Sequence, residues 1–81
     1  MQAQIPLQFE AITTSCGATG TAHIAATNEM FVRFGAGTGA VWCYPDVSYS
    51  QYMTLITAPS FGREWNRWKR ERGAGWGERV Q

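Results

Sequence analysis

The sequence predicts one small α+β domain, an antiparallel sheet of three to four strands followed by two helices in the order β-β-β-α-α. Three observations support this prediction. The chain has 81 residues, so it has room for a single hydrophobic core. Residues 21–44 contain short segments that alternate apolar and polar side chains, as half-buried strands do. Residues 48–73 instead carry apolar side chains at helical spacing, with start and stop signals for two helices.

The strands are predicted in the first half of the chain. Residues 4–14 alternate apolar and polar side chains and contain an early proline, which suits an extra N-terminal edge strand. The small residues at 15–20 predict a loop. Residues 21–26 and 29–34 predict a β-hairpin, because Asn28 between them tolerates the left-handed conformation of a tight turn.

A further strand is predicted at residues 40–44, after a glycine-rich loop at 35–39. Trp42 and Tyr44 share one face of this strand, because side chains alternate along a strand. Two interpretations of this aromatic pair stay open. The rings pack in the core under the first helix, or they form an exposed platform on which bases stack.

The first helix has a complete start signal. Ser48 and Gln51 match a capping box, in which two backbone donors are satisfied reciprocally. The helix is predicted over 48–57, because Pro59 disfavours helical geometry at the residue before it. One buried stripe is predicted along this helix, formed by Tyr49, Tyr52, Met53 and Ile56.

The second helix is predicted to begin at Ser60 and to stop at Gly73, a residue type favoured just after a helix end. Its two faces differ in character. The apolar face is expected to pack on the domain through Phe61, Trp65 and Trp68. The opposite face is basic and carries Arg63, Arg67 and Arg70, and glutamates at positions 64 and 71 are expected to neutralise Arg67 in part.

The segment Gly73–Gln81 contains three glycines and no periodicity, and such a tail would normally be disordered. Trp76 is the exception, because an indole between glycines is unfavourable in water. We expect this side chain to dock onto its own sheet or onto a partner.

These predicted elements divide the chain into an edge strand and loop at 1–19, a main domain at 20–72 and a tail at 73–81.

Charge and cysteine content narrow the classes of function. Residues 1–60 carry one basic and three acidic side chains, a net charge of −2, whereas residues 61–81 carry six basic and three acidic ones, a net charge of +3. No leader-like or membrane-spanning apolar run occurs, so we expect a cytoplasmic protein with Cys16 and Cys43 as free thiols. One histidine and two separated cysteines lack the spacing of a metal site, and no cofactor is expected. No pair of titratable groups is placed for acid–base catalysis, so we do not expect an enzyme.

A series of short motifs follows in a fixed order between residues 30 and 68. These motifs are Val32-Arg33-Phe34, Gly39, Trp42-Cys43-Tyr44, a helix start at 47–52, Ala58-Pro59-Ser60-Phe61-Gly62, and Trp65-Asn66. This order resembles the KTSC domain, a family named after the C-terminus of some lysyl-tRNA synthetases that also occurs as free-standing bacterial and phage proteins. Trp42 stands where the family usually has a tyrosine, and the 35–39 loop is longer than usual. The resemblance implies the fold, and it implies RNA binding only through the synthetase context.

Three functions are compatible with these observations. The first is a non-catalytic module that binds RNA or a ribonucleoprotein through the second helix, although a solvated outer surface would explain its basic face equally well. The candidate contact residues are Arg63, Asn66, Arg67, Lys69, Arg70, Arg72 and Trp76. The alternative is a phage-encoded stoichiometric inhibitor, such as an anti-CRISPR protein, that binds a protein target with Trp76 as its apolar anchor. The third is a self-associating virion component, which would make the chain a homo-oligomer.

Overall fold

The structure is a computed structural model that describes residues 9–12, 17–35, 39–73 and 75–81. A five-stranded antiparallel sheet and two helices confirm the α+β class and the β-β-β-α-α core. The elements are β1 (Glu10–Ala11), β2 (Ala18–Ile24), β3 (Glu29–Phe34), β4 (Val41–Tyr44), α1 (Tyr49–Ile56), α2 (Phe61–Arg72) and β5 (Glu78–Arg79). The strand that the sequence does not predict is β5.

The sheet is a meander in which each strand pairs with its neighbours in the sequence, in the order β1-β2-β3-β4-β5. Val32 lies opposite Thr21 on one side and Trp42 on the other, so these three side chains share one face. The helices cover this face. The main core between the helices and the sheet contains Ala18, Met30, Val32, Tyr44, Val47, Tyr52, Leu55, Trp65 and Trp68.

The first two strands differ from the prediction at their ends. Within the predicted strand 4–14, the described part is strand at Glu10–Ala11, and residues 4–8 and 13–14 lie outside the described residues. The predicted loop at 15–20 is wrong at its last three residues, because β2 begins at Ala18. The predicted strand at 21–26 is wrong at its last two residues, because β2 ends at Ile24 and a turn follows. The β2–β3 register shifts between Ala18 and Gly20, so an irregularity within the sheet accommodates these small residues.

The predicted turn between β2 and β3 is confirmed. Asn28 has a φ of 54°, which lies in the left-handed region that asparagine tolerates better than most residues. The Asn28 carbonyl also accepts a hydrogen bond from the Val47 N–H at 2.9 Å. The turn therefore holds the segment that leads into α1.

The predicted start of α1 is confirmed, and its predicted stripe is partly wrong. Ser48 Oγ accepts a hydrogen bond from the Gln51 N–H at 3.1 Å, and Gln51 Oε1 accepts one from the Ser48 N–H at 2.9 Å. However, Tyr49 is 57% exposed, whereas Leu55 is fully buried. The ring of Tyr49 lies at the edge of the core, 5.8 Å from the ring of His23, because the buried face of α1 is centred on Tyr52 and Leu55.

Both ends of α2 match the prediction. Ser60 Oγ accepts a hydrogen bond from the Arg63 N–H at 3.4 Å, and the helix stops at Gly73, whose φ is 86°. Trp65 and Trp68 are buried, as predicted, whereas Phe61 is half-buried. The basic face of the helix points away from the core.

The opposite face of the sheet carries a smaller apolar cluster, formed by Ala22, Phe31, Val41 and Cys43. Cys43 is a free cysteine, as expected, and its thiol donates a hydrogen bond to the Glu29 carboxylate at 3.2 Å. Burial, together with this carboxylate, raises the pKa of Cys43 to about 12. Cys16 lies outside the described residues.

Candidate functional site

Trp76 packs on the domain's own core, in the segment that joins α2 to β5. Its ring centroid lies 4.7 Å from that of Tyr44 and 5.6 Å from that of Trp65. Its indole N–H donates a hydrogen bond to the Pro45 carbonyl at 2.8 Å, and the Arg72 guanidinium lies 4.7 Å from its ring centroid. Of the two docking alternatives predicted for Trp76, the structure shows the one in which it packs on its own chain.

Backbone hydrogen bonds attach the last residues to β4. The Val80 N–H donates to the Val41 carbonyl at 2.8 Å, and the Val41 N–H donates to the Gln81 carbonyl at 2.8 Å. Gly77 permits the close approach of this segment, because a Cβ at this position would lie 2.1 Å from Cε1 of Tyr44. The sequence gives little sign of β5, because a two-residue Glu-Arg strand has no apolar alternation and low β-propensity.

A pocket of about 490 Å³ opens between β4, α2 and the segment 75–77. We call it the aromatic pocket. Its lining residues are Trp42, Tyr44, Asn66, Lys69, Arg70, Gly73, Gly75, Trp76 and Gly77. Four of them, Asn66, Lys69, Arg70 and Trp76, are candidate contact residues predicted from the sequence, and Trp42 and Tyr44 are the predicted aromatic pair. These six side chains come from three separate parts of the chain.

The aromatic pair on β4 divides between core and pocket. Tyr44 is 7% exposed and packs edge-on against Trp65 of α2, with ring centroids 4.7 Å apart and an interplanar angle of 89°. The interpretation that this ring is core is correct, and its aromatic partners are Trp65 of α2 and Trp76. Trp42 is half-buried and lines the pocket. Its indole therefore keeps a surface that a ligand can contact.

The Tyr44 hydroxyl is free to bind a ligand. Among the described residues it has no hydrogen-bond partner. It is also not sealed from solvent, because among these residues the buried side-chain atom without a partner is His23 Nδ1. The Tyr44 oxygen therefore keeps some contact with solvent, and Tyr44 is among the residues that line the aromatic pocket. Burial raises the pKa of Tyr44 to about 12, so the hydroxyl stays protonated at neutral pH.

A second pocket of about 510 Å³ lies on the outer side of α2 and involves the loop before it. We call it the basic pocket. Its lining residues are Ala58, Pro59, Ser60, Arg63, Glu64, Asn66, Arg67 and Arg70. Asn66 and Arg70 line both pockets, so the two openings meet along one edge of α2.

The basic side chains of α2 differ in how strongly they are engaged. Arg67 pairs with both Glu64 and Glu71, as predicted. Arg72 donates a hydrogen bond to the Asp46 carbonyl at 2.8 Å and packs on Trp76, so it braces the fold. Lys69 lies 5.7 Å from the ring centroid of Trp65.

Arg63 and Arg70 are the basic side chains of α2 that stay available. Within the described residues neither guanidinium makes an ion pair or a hydrogen bond, and both residues are exposed. Glu64, which lies between the two on the helix, accepts hydrogen bonds from the Trp68 indole and from Arg67, and these donors lower its pKa. Its charge is therefore directed at its own helix.

The arrangement favours a flat ligand with a negative charge at one end. Aromatic pockets also recognise quaternary ammonium groups, but Lys69 and Arg70 beside this pocket would repel a cation. A ring can stack against the indoles of Trp42 and Trp76 while an attached anion meets Arg70 at the rim. Nucleotides have this combination of an aromatic body and a phosphate.

The sequence analysis identifies most of this site. The structure brings together Trp42, Tyr44, Asn66, Lys69, Arg70 and Trp76, and it places Arg63 and Arg67 in the adjoining basic pocket. Arg72 lies outside both pockets. Gly73, Gly75 and Gly77 were not predicted as part of the site. Their spacing of two, with an indole between the last two, is the signal that could have indicated a close backbone approach.

No protein-family model matches the chain, and no curated protein matches it significantly. Within the part of the chain that the structure describes, no His, Cys, Asp or Glu side chains gather in threes or more as they would around a metal ion. In the same residues, neither helix has the length and apolar character needed to cross a membrane.

Proposed function

We propose that this protein is a non-catalytic, single-domain module that binds single-stranded RNA. The observation that carries the proposal is the junction of the aromatic and basic pockets at Asn66 and Arg70. A free nucleotide would need the first pocket alone. The second pocket extends the cationic edge of α2 toward Arg63, which suits a further phosphate of the same strand.

Binding would combine one stacked base with contacts to phosphates. Stacking of a base on an aromatic side chain contributes about 1–3 kcal/mol, and the indoles of Trp42 and Trp76 border the pocket in which this base would lie. Arg63 and Arg70 would neutralise phosphates, and each such contact makes affinity fall with salt, by a slope of about −0.7 for single strands. A base within a duplex has no free face, so an unpaired strand is the better ligand.

The resemblance to the KTSC domain and the cytoplasmic location remain parts of this proposal. The resemblance is consistent with the β-β-β-α-α order of the core. The competing proposal of a protein-binding inhibitor uses Trp76 as its apolar anchor, and this half-buried side chain packs on Tyr44 and Trp65, so it would offer a protein partner only part of its surface. Self-association into a virion component has no specific observation in its favour among the described residues.

Fluorescence anisotropy with a labelled single-stranded RNA of ten nucleotides, at two salt concentrations, tests the proposal. We expect Arg70→Gln to weaken binding and to reduce the salt slope by about 0.7, and Arg63→Gln/Arg70→Gln to reduce it by about twice as much. The matched control is Arg33→Gln, which removes the same charge from the opposite face of the sheet, where Arg33 lies over Phe9.

Three outcomes would contradict the proposal. One is the absence of binding to any single-stranded RNA at low salt. Another is an equal loss of affinity in Arg33→Gln and Arg70→Gln, which would show that only net charge matters. The third is tighter binding to a duplex than to either of its strands, which would exclude a role for the aromatic pocket.

A further inference from the structure

We propose that the aromatic pocket selects a purine nucleotide that enters with the edge of its base first, and that the Tyr44 hydroxyl is the group that reads this edge. The inference rests on the proposed function and assigns the ligand of the same site. Its starting point is a gradient of burial across the pocket. Tyr44 is 7% exposed, Trp42 and Trp76 are half-buried, and Asn66 and Arg70 are exposed.

This gradient gives the pocket a floor, walls and a rim. The buried Tyr44 ring forms the floor, the indoles of Trp42 and Trp76 form the walls, and the polar side chains of α2 form the rim. A bound nucleotide must therefore keep its phosphate near the rim and direct its base inward. The edge of the base farthest from the sugar then faces the floor.

The hydroxyl at the floor distinguishes long bases from short ones. Tyr44 is more than nine-tenths buried, and its hydroxyl has no partner among the described residues. A purine is longer than a pyrimidine by one fused ring, so it can accept or donate a hydrogen bond there while its phosphate stays beside Arg70. A pyrimidine with the same phosphate position does not reach the hydroxyl and gains no hydrogen bond there, so it binds less tightly than a purine.

The packing of Tyr44 allows the hydroxyl to be tested without loss of the ring. The ring is held by Trp65 and Trp76, with centroids 4.7 Å away in both cases, and these contacts do not involve the oxygen. Tyr44→Phe therefore keeps the floor of the pocket and removes only the donor and acceptor. Tyr49→Phe is the matched control, because Tyr49 is 57% exposed and does not line the pocket.

Competition binding measures the base preference directly. The probes are uridine octamers with one central A, G, C, U or abasic position, with adenosine and uridine monophosphate as separate competitors. We expect the A and G octamers to bind about three- to tenfold more tightly than the others, as one net hydrogen bond would provide. Tyr44→Phe should abolish this ratio, and Tyr49→Phe should preserve it. A general loosening of the fold would weaken all octamers alike and would leave the ratio unchanged.

Each other outcome overturns a specific statement. A ratio that Tyr44→Phe leaves intact refutes the role of the hydroxyl. Equal affinity for all octamers, with the abasic octamer included, refutes base capture but leaves strand binding through phosphates. If adenosine monophosphate competes as strongly as the A octamer, the purine site stands but the proposal that the ligand is a polynucleotide is refuted. Failure of every octamer to bind refutes both proposals.

Discussion

Trp76→Ala should destabilise the domain strongly, even though the residue follows α2 in a glycine-rich segment. The indole lies 4.7 Å from the ring centroid of Tyr44, 5.6 Å from that of Trp65 and 6.4 Å from that of Trp68. Truncation of a fully buried tryptophan costs about 3–5 kcal/mol. Because Trp76 is half-buried, we expect a loss of about 2–3 kcal/mol, which includes the hydrogen bond of its indole to Pro45.

Urea denaturation and thermal denaturation, both monitored by circular dichroism, measure this loss. For a domain of this size 1 kcal/mol corresponds to about 4–8 °C, so the thermal midpoint should fall by roughly 8–24 °C. The m-value should also fall, because β5 then frays and less surface is exposed on unfolding.

Two variants serve as controls. Trp76→Phe keeps an aromatic ring but loses the N–H and part of the indole, so the lost hydrogen bond should add about 1 kcal/mol to the cost of the smaller ring. Val80→Ala, at a residue that is 52% exposed, should stay within about 0.5 kcal/mol of the parent protein. If Trp76→Ala were as stable as Val80→Ala, the docking of this segment and the aromatic pocket would both be refuted.

Two further predictions concern buried hydroxyl and thiol groups. Tyr52→Phe should lower the free energy of unfolding by about 1–3 kcal/mol, because Thr21 is fully buried and its hydroxyl forms a hydrogen bond with the Tyr52 hydroxyl at 3.0 Å. In urea melts, the double variant Thr21→Val/Tyr52→Phe should lose less stability than the sum of the two single variants. Strict additivity would contradict the pairing. Folding raises the pKa of Cys43 and of Tyr44 to about 12. The contribution of these two groups to the free energy of unfolding should therefore be fully present below about pH 9 and should be lost as the pH rises toward 12. Tyr44→Phe should flatten this alkaline decline in melts between pH 9 and 12, and an unchanged decline would show that Tyr44 titrates normally.

Local signals in the sequence were sufficient to predict those features of the fold whose geometry depends on one short segment. The Ser48–Gln51 capping box, the Ser60 cap and the left-handed Asn28 each depend on a few neighbouring atoms, and the structure has all three. The stripe of α1 shows the limit of this reasoning. Helical spacing allows Tyr49 or Leu55 to face the core, and only the position of β2 beneath the helix decides between them.

The site was predictable in its composition but not in its assembly. Aromatic and basic residue types indicated the chemistry, yet Trp42 and Trp76 are 34 positions apart, and no periodicity relates them. Their proximity depends on β5, whose attachment consists of backbone hydrogen bonds to Val41 and of the absence of a side chain at Gly77. Residue types alone predict neither the backbone hydrogen bonds nor the close approach at Gly77.

The pairing of β5 with β4 determines when the pocket can form. The strands β2, β3 and β4 pair across short connections, which close at little entropic cost. Between β4 and β5, in contrast, the chain must run through both helices, so this last pairing joins residues that are more than 30 positions apart. A contact of this separation is slow to form and gains little until Trp65 and Trp68 are in place. We therefore expect a folding chain to form its hairpins and helices before the aromatic pocket, so that an intact pocket would mark completion of the fold.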